Sequence, residues 1–269
     1  MIPKKIHWIW LSGDPLPYLV RECIHSWQVN MPDYEIVLWD KQRFDLQSVQ
    51  FVADAVKARK WAFAADYIRC YALYTEGGIY LDSDVMVFDR FDRYLSHSAF
   101  SGVEWHTGVY RNKQITASGD YLSIEAAMIG AEQGCKWMKL CKEKYEQSEF
   151  TLDKYGIVTI GIAPAVLGCV AAQHFGFNQT KSPKAKQELA ENIVIYPQNE
   201  FSHFFHGANR KTKAMHLCLG GWKKKSVIGK AFLDTIKQNS FSSVHYVFWF
   251  LWLIFKTILK NRLKTMQIK

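Results

Sequence analysis

The sequence predicts an α/β protein built on a mostly parallel, Rossmann-like central sheet. Three observations predict it. Apolar runs with strand character alternate with segments of helical spacing from Ile2 through Phe88. A Gly77-Gly78 pair separates a helical segment from a strand-like one. The chain has 269 residues and 49% hydrophobic composition, enough for one substantial core. Strand, helix, strand, helix, strand in that order is a βαβ series, which favours parallel pairing.

Taken in order, Ile2 to Gly13 reads as a first strand ending in a glycine turn. Leu19 to Asn30 has helical spacing through Leu19, Cys23, Ile24 and Trp27. Pro32 to Asp40 is a second strand. A helix then runs through Asp66 and Arg69, which stand three residues apart and so share a face. Gly77-Gly78 stops it, because glycine readily adopts the left-handed cap conformation. From Ile79 to Phe88 β-formers alternate with period two, predicting one strand. On it Tyr80, Asp82 and Asp84 point to one side and Ile79, Leu81 and Ser83 to the other.

Two carboxylates projecting together from an apolar strand are unfavourable unless a cation or donor-rich ligand answers them. Asp-x-Asp offers oxygen ligands, which suit Mg²⁺ or Mn²⁺. A bare Asp-x-Asp is more often a solvated turn. Here Val85-Met-Val-Phe88 continues the apolar run, and the Asp66/Arg69 pair lies just upstream. Taken alone, that pair reads as an ion pair on a helix surface. Ligands of parallel sheets bind at the carboxyl ends of strands, where Trp10, Asp82 and Asp84 are all expected.

The stretch from Ala62 to Asp84 resembles the DXD-containing sugar-binding region of glycosyltransferase family 32. That family includes yeast α-1,6-mannosyltransferases and bacterial capsule and lipopolysaccharide transferases, and is distantly similar to the clostridial toxin glucosyltransferase domain. Ile2-Pro-Lys-Lys-Ile-His-Trp-Ile-Trp10 and the strand-closing Trp39-Asp40 are similar to the same family. So are Ile124 to Gly134 and Ala214-Met-His-Leu-Cys-Leu-Gly-Gly-Trp222. Gly161-Ile-Ala-Pro164 departs in spacing, and no role is carried over there. The resemblance implies a GT-A-type fold and retaining transfer of a hexose from a nucleotide sugar, a UDP-sugar ahead of a GDP-sugar. The acceptor would be a glycan or lipid-linked glycan in surface polysaccharide synthesis. It implies Asp84 as direct ligand of Mn²⁺ (or Mg²⁺), with Asp82 acting through water or on donor hydroxyls. His216 would be the remaining metal ligand. Asp66 and Arg69 would fix the donor sugar, and Tyr80 would line the pocket. Trp10 would stack on the base, and Trp222 would cover the diphosphate. Trp8 is expected in the core.

Rival readings are a sugar-binding module without turnover and a haloacid dehalogenase-type phosphohydrolase. The latter carries its Asp-x-Asp on the first strand and needs a later acid, which Gly119-Asp120 does not lead to. Six scattered cysteines without metal spacing read as free thiols in a reducing compartment. No secretory signal is expected, since Met1-Ile-Pro-Lys-Lys leads straight into a strand. Net charge is +9, yet no nucleic-acid motif accompanies it, so no nucleic-acid partner is expected.

The basic residues concentrate late. A transferase domain is expected over 1–225 and a helical basic/aromatic segment over 226–269. Within it Val244 to Phe255 holds six aromatics in twelve residues. As a helix it would span only about 18 Å, against a bilayer core of about 30 Å. Aromatics with a basic flank suit the headgroup interface, so residues 244–264 are expected to bind the cytoplasmic membrane face peripherally. A helix docked on the protein core or in an oligomer interface is the alternative.

Overall fold

The computed structural model describes residues 1–104, 122–153, 158–203 and 208–219. The first half runs β1 (Lys5–Ile9), α1 (Tyr18–Asn30), β2 (Glu35–Trp39), α2 (Gln50–Lys57), α3 (Trp61–Glu76), β3 (Gly78–Leu81) and β4 (Val85–Val87). There follow β5 (Ala99–Glu104), β6 (Ser123–Ala131), α4 (Lys136–Glu146) and α5 (Ala163–Phe175). Four short strands complete the described chain: β7 (Gln187–Glu188), β8 (Ile193–Tyr196), β9 (Phe201–His203) and β10 (Ala214–His216).

The main sheet has seven strands in the order β2-β1-β3-β6-β5-β8-β7. Strands β1, β2, β3, β5 and β8 point one way and β6 and β7 the other, so the sheet is mixed but mostly parallel, as expected. A smaller sheet is ordered β4-β10-β9. Each face of the main sheet buries its own core. Val52, Ile68, Leu73, Trp137 and Leu167 pack on one side, and Trp8, Trp27, Leu81, Phe91 and Phe201 on the other. Period-two alternation sends Tyr80 to the first core and Ile79 and Leu81 to the second.

The α3–β3 junction is local chemistry. Gly77 takes φ 64° and Gly78 φ 121°, conformations that disfavour any side chain. A Cβ on Gly78 would also lie 2.9 Å from the Lys5 carbonyl on β1. Beside it His7 is fully buried and bridges three segments. Its Nδ1 accepts from Trp39 Nε1 at 3.0 Å, which leaves Nε2 to donate to the Gly77 carbonyl at 2.7 Å. Burial holds the ring's pKa below its ordinary value.

Two expectations change. The predicted strand from Ile79 to Phe88 is broken. It stops at Leu81, Asp82-Ser-Asp84 forms a turn closed by Val85 N–H to Asp82 C=O at 3.0 Å, and the chain resumes as β4 in the other sheet. Alternation continues across the turn, so periodicity alone could not reveal it. In α1 the buried face is Val20, Cys23, Ser26 and Trp27, which turns Leu19 and Ile24 to the rim. That face serves β4. Trp27 Nε1 donates to Val85 C=O at 2.8 Å, Asn30 Nδ2 to Val87 C=O at 3.0 Å, and Val87 N–H to Ser26 Oγ at 2.9 Å. Helix side chains thus satisfy the edge of β4 that faces away from β10.

Candidate active site

The site forms where β1 and β3 end side by side. Their register pairs Ile6 with Ile79 and His7 with Tyr80, so Trp10 and the 82–84 turn emerge at one edge. The turn is clamped by protein groups. Asp82 N–H donates to Ala127 C=O at 2.9 Å. The Asp84 carbonyl accepts from Leu217 N–H at 2.9 Å, and Asp84 Oδ2 from Leu219 N–H at 2.8 Å.

Below the turn lies a buried charged network. Arg69 Nη2 is 2.8 Å from Asp66 Oδ1 and 3.6 Å from Asp82 Oδ1. Its Nη1 donates to Ala126 C=O at 2.6 Å, and its guanidinium lies 4.7 Å from the centre of the Tyr80 ring. The Tyr80 hydroxyl donates to Asp82 Oδ1 at 2.5 Å. The Asp66/Arg69 pair shares a helix face as expected, but it is not a surface pair: Asp66 is 7% exposed and Arg69 5%. Burial pushes the Asp66 carboxyl up to about 7, against the pull of Arg69, and the nearby Asp82 charge adds to the rise.

Above the turn, β10 delivers His216. Its Nε2 lies 3.3 Å from Asp84 Oδ1 and 3.8 Å from Asp82 Oδ2. Burial works against the Asp84 charge, but His216 and the Leu219 amide outweigh it and hold the carboxyl below its usual range. Asp82, Asp84 and His216 each offer one ligand atom, all within 4.8 Å of one another. Two carboxylates and an imidazole fit a hard or borderline divalent ion. His216 Nδ1 is buried and has no hydrogen-bond partner among the described residues, with Glu125 Oε1 3.7 Å away. A cation on Nε2 would give that N–H a carboxylate to face, so the donor set fits the metal that an Asp-x-Asp implies.

Trp8 is buried edge-on against Trp27, with ring centroids 6.3 Å apart. Trp10 is half-buried one residue beyond β1, its Nε1 donating to the Asp14 carbonyl at 2.8 Å. Trp222 and residues 244–264 lie outside the described residues. Sequence reasoning missed Glu125 and His203. Glu125 is an acid inside the apolar strand β6, 1% exposed, and that misfit was the available signal. Its Oε2 lies 3.0 Å from His203 Nδ1, and its Oε1 accepts from Ala127 N–H at 2.9 Å. Burial opposes the Glu125 charge, yet His203 and His216 hold its pKa well below the ordinary value. All six cysteines are free.

Residues 17–101 match the family described as the glycosyltransferase sugar-binding region containing DXD motif. The chain therefore carries a DXD-type glycosyltransferase region. Subversion of eukaryotic traffic protein A of Legionella pneumophila is 25% identical over 112 residues, covering 32% of this chain and 17% of that protein. This chain thus spans under a fifth of the relative's length. Three solved glycosyltransferases are also similar. PaToxG is 19% identical with a TM-score of 0.42, covering 64% of this chain and 68% of that one. LgtC, a galactosyltransferase solved with donor and acceptor sugar analogues, is 14% identical with a TM-score of 0.44, covering 88% and 96%. GlyE of Streptococcus pneumoniae TIGR4 is 9% identical with a TM-score of 0.42, covering 83% and 57%.

Proposed function

We propose that the chain is a GT-A-type glycosyltransferase of family 32. It moves a hexose from a nucleotide sugar, a UDP-sugar ahead of a GDP-sugar, to a glycan or lipid-linked glycan in surface polysaccharide synthesis. The observation that carries this reading is the convergence of Asp82, Asp84 and His216 within 4.8 Å, beside the carboxyl ends of β1 and β3.

Asp84 and His216 would hold Mn²⁺ or Mg²⁺ directly, and Asp82 directly or through water. When bound, such an ion offsets the charge of a departing diphosphate. Arg69, 2.8 Å from Asp66 and 3.6 Å from Asp82, would help offset the charge of the donor diphosphate. Asp66 and Arg69 would fix the donor sugar, and Asp82 would reach the metal through water or bind the donor's hydroxyls. Tyr80 supplies the wall and the hydrogen bond that fixes the Asp82 rotamer. Trp10 offers a flat face for the base, a contact of about 1–3 kcal/mol. Attack from the donor's front face, with retention of configuration, needs no protein nucleophile. Trp222 would cover the diphosphate. Residues 244–264 would dock the protein on the inner membrane surface; among the described residues no helix is long and apolar enough to cross a bilayer.

The direct test is a panel of UDP- and GDP-sugars with Mn²⁺, scored for slow donor hydrolysis without acceptor. Metal-dependent release of one sugar supports the reading. Binding of a nucleotide sugar with no turnover on any acceptor would make the chain a sugar-binding module instead.

A further inference from the structure

Behind the aspartate pair lies a second set of ligand atoms. His203, His216 and Cys218 also place one ligand atom each within 4.8 Å of one another. Cys218 Sγ stands 3.2 Å from His203 Nε2. In a tetrahedral zinc site, sulfur at about 2.3 Å and nitrogen at about 2.0–2.1 Å lie about 3.5 Å apart, so this pair needs little movement. The rings are already aimed. Glu125 Oε2 engages His203 Nδ1 at 3.0 Å, and Glu125 Oε1 faces His216 Nδ1 at 3.7 Å. One buried carboxylate thus turns the Nε2 atoms of both histidines away from itself, as the outer carboxylate does in a carboxylate–histidine–metal arrangement. The two rings stand edge to face, with centroids 5.1 Å apart.

The donor sets differ in kind. Two carboxylates with an imidazole suit a hard ion, whereas two imidazoles with a thiolate suit zinc or another borderline-to-soft ion. We propose that His203, His216 and Cys218 form a second cation site of the zinc class. It shares His216 with the Asp82/Asp84 site. Occupation of one site therefore withdraws that ligand from the other, and zinc acts as an inhibitor of the hard-ion-dependent reaction. The inhibitory half rests on the proposed transferase function; the binding half does not. Three protein ligands leave a fourth position for water or a soluble ligand.

The test uses the full chain and metal ions alone. One equivalent of Zn²⁺ should slow alkylation of Cys218 by iodoacetamide about tenfold or more, read by peptide mass, while Mg²⁺ does not. Half-buried Cys169 serves as internal control and should react at one rate throughout. Co²⁺ should give near-ultraviolet thiolate charge-transfer absorption that is missing in Cys218→Ser and weakened in His203→Gln. Asp84→Asn, which removes a hard-ion carboxylate, should keep both signals. Equal alkylation of Cys218 with and without Zn²⁺ in the unaltered protein would overturn the site and leave a thiol–imidazole hydrogen bond. Loss of protection in Asp84→Asn would overturn it too, by placing zinc on the aspartate pair. Neither readout depends on turnover, so absence of donor hydrolysis would defeat the functional proposal while leaving this one standing.

Discussion

Asp84 is the residue on which the proposed chemistry turns. One carboxylate oxygen is held by the Leu219 amide at 2.8 Å, and the other faces His216 at 3.3 Å. Asp84→Asn keeps the shape and the amide contact but removes the charge. Metal-dependent donor hydrolysis should fall on the order of 100-fold or more, with a melting temperature close to that of the unaltered protein. Near-normal turnover in a folded variant would remove Asp84 from the metal site. Asp66 lends itself to a different test, because its carboxyl is raised to about 7 by burial. In the unfolded chain an aspartate ionises near 4. The folded state therefore keeps the proton over the window from about 4 to 7. Its contribution to stability is present at low pH and is lost as pH rises through that window. Asp66→Asn has no such proton to lose. Its melting temperature relative to the parent should improve between pH 5 and pH 8, while turnover drops, a stability–activity trade-off. A pH-independent difference would show that Arg69 keeps Asp66 ionised throughout.

At the scale of elements, the α3–β3 junction was legible because its causes are local. The Asp66/Arg69 spacing, the glycine stop and the alternation from Ile79 to Leu81 each depend on a few neighbouring residues. The break at Asp82 was not legible, since Val85-Met-Val preserves the pattern while joining another sheet. Glu125 and His203 were not legible either: their contact spans 78 positions of sequence and exists only once β6 and β9 are assembled. Cys218 stood in plain view two residues after His216, but a His-x-Cys without a third ligand says little. Gly78 ties the junction to the site. It has φ 121°, and a Cβ there would press on Lys5 C=O and His7 Nε2 at 2.9 and 3.0 Å. Gly78→Ala should therefore part β1 from β3, at a cost of about 1–3 kcal/mol. Because Trp10 and Asp82 extend from those two strands, affinity for the donor should fall together with the melting temperature. Unchanged donor affinity in a destabilised variant would show that the site tolerates movement of β1 against β3.

Over the whole molecule, the matched sugar-binding region ends at residue 101, yet the site is completed by Glu125, His203 and His216 from beyond it. The region supplies Asp66, Asp82 and Asp84; the later strands supply Glu125 and the two imidazoles. The proposed metal site lies at the seam between the large and small sheets, so on that proposal both sheets must form before a metal could be held. The basic, aromatic segment at 244–264 contributes none of these groups. A chain ending at Ser242 should fold, keep its melting transition and hydrolyse donor at the parent rate. It should lose only its attachment to membranes and its transfer to a lipid-linked acceptor. Attachment should strengthen with anionic lipid and weaken with salt, since each Lys or Arg near such a surface contributes about 1 kcal/mol. Vesicle flotation of the two chains decides it. Equal flotation would refute an anchor in this segment, and insolubility of the shortened chain would place the segment against the protein's own core.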